Sequence, residues 1–164
     1  MTAPRCELRP LDARNLADLL AVAVAETDPL EVMPPVPGEP GWNETRRQAF
    51  REFHLTRSIE ATEPVERTYL VVVDERVAGA ARIEPVGADV EIGMWLGRPY
   101  RGLSLGGTVL AELLTVARAT GARRVVASTT TANVAARRLL GDRGAVLTVD
   151  GYRVEAVLDL SGGV

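Results

Sequence analysis

The chain contains no lysine; all 19 of its basic residues are arginine. A catalytic lysine, a Schiff base and a phosphate-loop lysine are therefore excluded. GC-rich coding is the plain reason for an arginine-only chain, although arginine also holds phosphate oxygens well through its forked donors. Cysteine occurs once, at Cys6, so no internal disulfide can form. Histidine also occurs once, at His54, which leaves no ligand set for a Cys/His zinc site, and no metal is expected. No apolar run approaches the roughly 20 residues of a membrane-spanning helix. The opening Met1-Thr2-Ala3-Pro4-Arg5 lacks the charged-then-apolar plan of a secretory signal. A cytoplasmic protein without a membrane partner is the expectation. The 19 basic residues face 22 acidic ones, a net charge of −3, which argues against the concentrated basic face that nucleic acid requires.

What is present suffices for one domain. The 164 residues are 46% apolar and 25% charged, neither disordered nor fibrous in composition. No repeat, low-complexity tract or linker interrupts them, so residues 1–164 are read as a single domain. Residues 6–11 alternate as a short strand, placed at a sheet edge because Pro10 has no ladder donor. Asp12 is expected to cap a helix running to about Glu26, and residues 28–41, with five of the ten prolines, read as a stiff irregular loop. A second helix is expected over about 44–61. Strands at 68–73, 77–84 (ended by Pro85) and 90–96 then form an antiparallel meander. A helix from Leu105 to Thr120, stopped by Gly121, precedes a buried strand at 124–129. A helix over 132–143, ended by Gly144, leads to a closing hairpin of 145–150 and 153–160 about Asp150-Gly151. This order predicts a mixed α/β sheet with its functional crevice beside the third helix.

The most informative stretch is Leu96-Gly97-Arg98-Pro99-Tyr100-Arg101-Gly102-Leu103-Ser104-Leu105-Gly106-Gly107, set between a strand and an amphipathic helix. Its glycines let several amide N–H groups turn one way, and the helix adds the positive end of its dipole. Such a loop suits a phosphate or pyrophosphate, or is simply a turn. No Gly-Lys-Ser/Thr is present, which excludes a nucleotide-hydrolysing phosphate loop. The dinucleotide fingerprint also fails, because the loop follows an antiparallel meander and Gly-Ala-Arg-Arg stands where its acid belongs.

Arg101-Gly102-Leu103-Ser104-Leu105-Gly106 resembles the Arg/Gln-x-x-Gly-x-Gly/Ala loop of the GNAT superfamily of acyl-CoA-dependent N-acetyltransferases, with Ser104 where that family usually has glycine. The family's second signature, Asn-x-x-Ala-x-x-Leu-Tyr followed by Gly-Phe, is matched by Asn133-Val134-Ala135-Ala136-Arg137-Arg138-Leu139-Leu140 and then Gly144-Ala145. Leu8-Arg9-Pro10-Leu11-Asp12 and Glu91-Ile92-Gly93-Met94-Trp95-Leu96 look like the branch that includes ribosomal-protein N-terminal acetyltransferases. The resemblance spans nearly the whole chain. It implies an α/β (α+β) fold with a mixed, mainly antiparallel sheet of about seven strands flanked by four helices, splayed between strands 4 and 5.

The resemblance further implies transfer of an acetyl group from acetyl-CoA, a cosubstrate, directly to a primary amine of a small molecule or peptide. Backbone amides of Arg101, Gly102, Leu103, Ser104, Leu105, Gly106 and Gly107 would hold the pyrophosphate of CoA. Met94 and Leu96 main-chain groups would bond the pantetheine arm, and the Leu96 amide would face the oxyanion. Asn133 would bond the arm or nearby backbone, or cap the following helix, or both. Leu140 occupies the position of the family's proton-donating tyrosine and cannot donate, which favours the alternative of a non-catalytic acyl-CoA-binding module.

An amine must lose its proton to attack, and Glu91 is the chosen base. The competing reading is a solvent-facing strand glutamate paired with Arg82 or Arg98. His54, near the expected acceptor mouth, is a second base candidate by residue type, set against a packing role. Glu60, Glu84, Tyr69 and Tyr100 are weaker ones. Trp95 is read as core or interface rather than pocket wall. The acceptor would be bounded by the 28–41 loop and the second helix, a region where Glu26, Asp28, Glu31 and Glu39 favour a cationic amine. Cys6 is remote from the thioester, so no acetyl-enzyme is expected. The oligomeric state is left open, a homodimer included.

Overall fold

Two apolar periods divide the chain, period two in its strands and about 3.6 in its helices. Residues 2–161 are described by the structure, a computed structural model; Met1 and 162–164, included in the expected single domain, lie outside the described residues. Strands β1 (Cys6–Pro10), β2 (Arg67–Val73), β3 (Arg76–Val86), β4 (Asp89–Leu96), β5 (Arg124–Thr130), β6 (Val146–Asp150) and β7 (Arg153–Asp159) form one seven-stranded sheet, ordered β1-β2-β3-β4-β5-β7-β6. β4 and β5 run parallel, and the other neighbours are antiparallel.

Among the described residues five α-helices cover the sheet: α1 (Leu16–Glu26), α2 (Pro29–Val32), α3 (Glu44–His54), α4 (Leu105–Ala119) and α5 (Val134–Asp142). The expected count of four is corrected by α2, a single turn inside the proline-rich segment. Pro29 suits its first position, and the Asp28 N–H donates to the Glu31 carboxylate at 3.4 Å. α4 and α5 bury Val109, Leu113 and Leu140 on one face of the sheet, with Val71, Ile92 and Val125. On the other face α1, α2 and α3 bury Leu19, Ala23, Val32 and Phe50 against Leu70 and Ala80. Among the described residues no helix is long and apolar enough to cross a membrane.

The prolines show how ladder geometry governs position. β1 is the sheet edge, as Pro10 led us to expect. The Leu11 N–H donates to the Thr68 carbonyl, so by alternation the nitrogen of Pro10 faces outward. Pro85 does not end its strand, contrary to expectation; it sits within β3 opposite Val90. β2 has already stopped at the Arg67–Ile83 pair, so the missing N–H of Pro85 faces the side its neighbour has vacated. Helix α1 starts at Leu16 rather than next to Asp12, whose Oδ1 instead accepts from the Arg14 and Asn15 N–H groups in the preceding turn. The second expected helix is α only to His54 and continues as a π-turn over Leu55–Ile59. Gly121 (φ +79°) and Gly144 (φ +88°) end α4 and α5 in the left-handed region, where a side chain would be strained.

His54 is 4% exposed and packs edge-on against Phe50 and Phe53, with ring centroids 4.6 and 5.2 Å away. Both ring nitrogens lack a hydrogen-bond partner in the structure. Burial pushes its pKa down to about 4. As pH falls through 6.5 toward 4, the unfolded chain gains a proton that the folded chain refuses, so stability is full above that window and declines across it. The linkage amounts to about 3 kcal/mol. Denaturant titrations should show this acid-side loss for the native chain, and a His54→Leu variant should show a flatter profile between pH 7 and pH 4.

Candidate active site

The site begins where a ladder stops. β3 and β4 pair without a break from Val86–Asp89 to Gly79–Leu96. β4 and β5 pair only at Val90–Val125 and Glu91–Val126. The Gly97 N–H donates to the Ala78 carbonyl on the β3 side at 2.8 Å. Alternation therefore turns the peptide groups of Leu96 and Met94 away from β3, into the gap that opens above Glu91. These are the two residues expected to bond a pantetheine arm. The Leu96 carbonyl already accepts from Arg101 Nε at 2.8 Å, so its N–H is the group left facing the gap.

The loop from Gly97 to Ser104 lies at the open end of this gap. It holds one 3₁₀ turn at Arg98–Tyr100, then Gly102 at φ +74° and Ser104 at φ +63°, and α4 starts at Leu105. Ser104 thus takes a left-handed conformation that costs a non-glycine residue about 1–2 kcal/mol, which explains glycine as the usual family residue there. Its hydroxyl makes no cap bond to α4, whereas Asn43 accepts from the Arg46 N–H and Asn133 from the Ala136 N–H. The first-turn amides of α4 are accordingly open to an anion. A Cβ on Gly106 would stand 3.5 Å from Leu139 Cδ2 and 3.6 Å from Met94 Cε, and one on Gly107 would stand 3.5 Å from Leu139 Cδ1. Protein packing tolerates a methyl group at both positions, so contacts within the chain do not require glycine there, and its absence of a Cβ leaves room for a ligand to approach the backbone. These features fit the diphosphate and amide-bearing arm of CoA.

The side chains around the gap and the loop are largely committed to contacts within the protein. The Arg101 guanidinium is spent on the Leu96 carbonyl and on an ion pair with Glu31, and Arg98 pairs with Asp28 at 3.2 Å. The loop cations thereby tie the α1–α2 segment to the end of β4. Asn133 makes its cap bond to Ala136 N–H at 3.1 Å. Leu140 is 9% exposed and faces the core beside Ile92, Leu110 and Val125. It is Leu139, one residue earlier, that lies beside Gly106 and Gly107 at the start of α4. Arg143 donates to the Gly107 carbonyl at 3.1 Å and fixes α5 against the start of α4, a contact the sequence reading did not anticipate.

On the opposite face of β4 lie Glu91, Gly93 and Trp95. Glu91 bonds Arg82 at 2.5 Å, which is the ion-paired arrangement weighed against its role as base; Arg98 is not its partner. Arg82 also reaches Glu66 and Glu84, each at 3.3 Å, and Arg57 from the π-turn reaches Glu66 at 3.4 Å and Glu84 at 3.5 Å. Burial opposes the Arg82 charge, but the Glu91 bond and the three carboxylates outweigh it and raise its pKa. Trp95 packs with the α1–α3 cluster, in line with a core role, while Tyr69 and Tyr100 pack against the core on the α4 face. His54, buried between two phenylalanines, is no acceptor-mouth base. Cys6 lies on β1, separated from β4 by two strands, and burial followed by Glu112 and Glu7 pushes its thiol pKa up, away from nucleophilic use. Among the described residues no group of three metal-ligating side chains occurs. A groove of about 530 Å³ between Asp89, Arg123 and Asp159 lies at the other end of β4 and β5, far from this chemistry.

Comparison with known proteins supplies the family. None of the curated proteins compared matches the sequence. The GNAT domain of the S. lividans protein PAT superposes with a TM-score of 0.72 at 15% identity, covering 96% of each chain. RimL, a ribosomal L7/L12 α-N-protein acetyltransferase in complex with coenzyme A, superposes at 0.69 with 20% identity and 96% of each chain. Campylobacter jejuni N-acetyltransferase PseH in complex with acetyl coenzyme A gives 0.64 at 14% identity, over 96% of this chain and 100% of that one. The family profile described as "Acetyltransferase (GNAT) domain" matches residues 5–146. With that match over most of its length and the splayed sheet that goes with it, the chain belongs to the GNAT acetyltransferases.

Proposed function

We propose that the chain transfers an acetyl group from acetyl-CoA directly to a primary amine of a small molecule or peptide. The observation that carries this reading is the divergence of β4 from β5 beyond Glu91, which turns the Met94 and Leu96 peptide groups toward an open gap next to an uncapped helix start. Amides from Arg101 to Gly107 hold the diphosphate, and Met94 and Leu96 align the arm as an added strand would be aligned. The Leu96 N–H is the oxyanion donor, a contribution of about 3 kcal/mol to the barrier. RimL and PseH, with coenzyme A and acetyl coenzyme A in their structures, support the cosubstrate, and the α-N-protein acceptor of RimL supports an amine.

Glu91 takes the acceptor proton in this reading. Along β4 it lies about 16 Å from Leu96 at about 3.3 Å per residue. Glu91 therefore collects the proton through water rather than by direct contact with an amine at Leu96. With Leu140 in the core, the departing thiolate draws its proton from solvent. Those two features also favour the rival, an acyl-CoA-binding module without turnover.

Incubation with acetyl-CoA and an amine panel separates the two. Thiol release above background, with an acetylated amine or peptide found by mass spectrometry, is expected; tight CoA binding without release would establish the rival. A Gly106→Val variant should lose at least tenfold in CoA affinity by calorimetry with its circular dichroism unchanged, because the branched side chain enters the ligand's path; unchanged affinity would break the loop assignment. Glu91→Gln should lower turnover at least tenfold while CoA affinity stays within twofold, and equal turnover would remove Glu91 from the reaction.

A further inference from the structure

We propose that Glu26 determines acceptor specificity, its carboxylate receiving the ammonium group of the amine at the open end of the β4–β5 gap. The inference rests on the transferase reading above and names the residue that recognises its second substrate. Glu26 closes the inward stripe of α1, following Leu19 and Ala23, both fully buried, at helical spacing. Its side chain is thereby directed at the sheet, where it meets the end of β4. A Cβ on Gly97 would lie 2.0 Å from Glu26 Oε2 and 3.1 Å from its Cδ, so the carboxylate occupies the space a side chain at 97 would need. Gly97 adjoins Leu96 and shares the α1 face with Trp95, the side from which an acceptor can approach the gap.

The second observation is electrostatic. Glu26 is partly exposed, while its Oε2, pressed against Gly97, is buried and accepts no hydrogen bond. A buried carboxylate oxygen without a donor is costly, and an N–H donor carrying positive charge is the group that relieves it best. Its neighbours are already committed, Asp28 to Arg98 and Glu31 to Arg101. Among the described residues no ion pair is made by Glu26, so within residues 26–31 it is the carboxylate left for a ligand. Its position is also held firmly. The Thr27 N–H and hydroxyl both donate to the Ala23 carbonyl, at 3.0 and 2.7 Å, and Trp42 Nε1 donates to the Thr27 carbonyl at 2.9 Å. A preorganised, unpaired anion one residue from the Leu96 peptide suits a cationic primary amine and discriminates against a neutral or acidic acceptor.

The test uses steady-state acetylation with 1,4-diaminobutane and with a dipeptide amide as probes, alongside calorimetry with CoA. Glu26→Gln should raise the amine KM at least tenfold while kcat falls less than threefold and CoA Kd stays within twofold. Glu26→Asp should recover part of the loss. Gly97→Ala, which displaces the carboxylate and leaves its charge in place, should reproduce the KM effect, with a thermal melt confirming a folded chain. An unchanged amine KM in an active Glu26→Gln enzyme would overturn the proposal. So would a tenfold loss of CoA affinity with amine KM constant, since the carboxylate would then serve the donor. A wild-type chain that releases no thiol overturns the transferase reading instead. Amine affinity of the CoA-loaded chain then decides Glu26 separately, and a Kd that Glu26→Gln does not change counts against it.

Discussion

The interruption of hydrogen bonding between two parallel strands is the constraint on which the rest of this structure depends. Backbone N–H and C=O groups inside a fold are almost always paired, and β4 obeys that rule fully on its β3 side. On its β5 side it does so only up to Glu91. The sheet therefore consists of two well-paired parts, β1 to β4 and β5 to β7, joined at a short parallel seam. The start of α4 and the Leu139 side chain of α5 bridge the two parts on one face.

Charge is distributed to support that opening. At its open end Arg98 and Arg101 fasten the α1–α2 segment to the strand that has lost its neighbour. At its closed end Arg82 holds Glu91 and shares Glu84 and the almost wholly buried Glu66 with Arg57. Removing one member of such a network would leave uncompensated charge in a low-dielectric setting, so its worth lies in holding β3, β4 and the π-turn in one arrangement more than in net stability.

Much of this was readable from residue order. Pro10 announced an edge, the helix-stopping glycines at 121 and 144 did their work, and the glycine loop falls, as read, between a strand and an amphipathic helix. What escaped the reading depends on contacts between distant segments. Pro85 is admissible in β3 only because β2 ends two residues sooner, and no local pattern reports where a neighbour stops. His54 carries the residue type of a base, yet it is 4% exposed and packed against two phenylalanines of its own helix. Arg101 fits a phosphate-loop motif by position, while its guanidinium is claimed by a carbonyl on β4 and a carboxylate some seventy positions earlier in the chain. Glu26 looked like one acid among several until Arg98 and Arg101 were seen to neutralise its neighbours.

The gap has a consequence for how the protein keeps company with other chains. Sheet rims attract stray strands, and proteins commonly protect their outermost ones with proline, charge or brevity. Here Pro10 and the short β6 serve that purpose at the two outer margins. The separation of β4 from β5 creates another pair of rims in the middle of the sheet, where no such guard is available without blocking the entrance. An extended ligand lying there satisfies the same peptide groups that an intruding segment would seek. In the proposed reaction, saturation with the cosubstrate would thus guard against self-association as well as prepare the transfer.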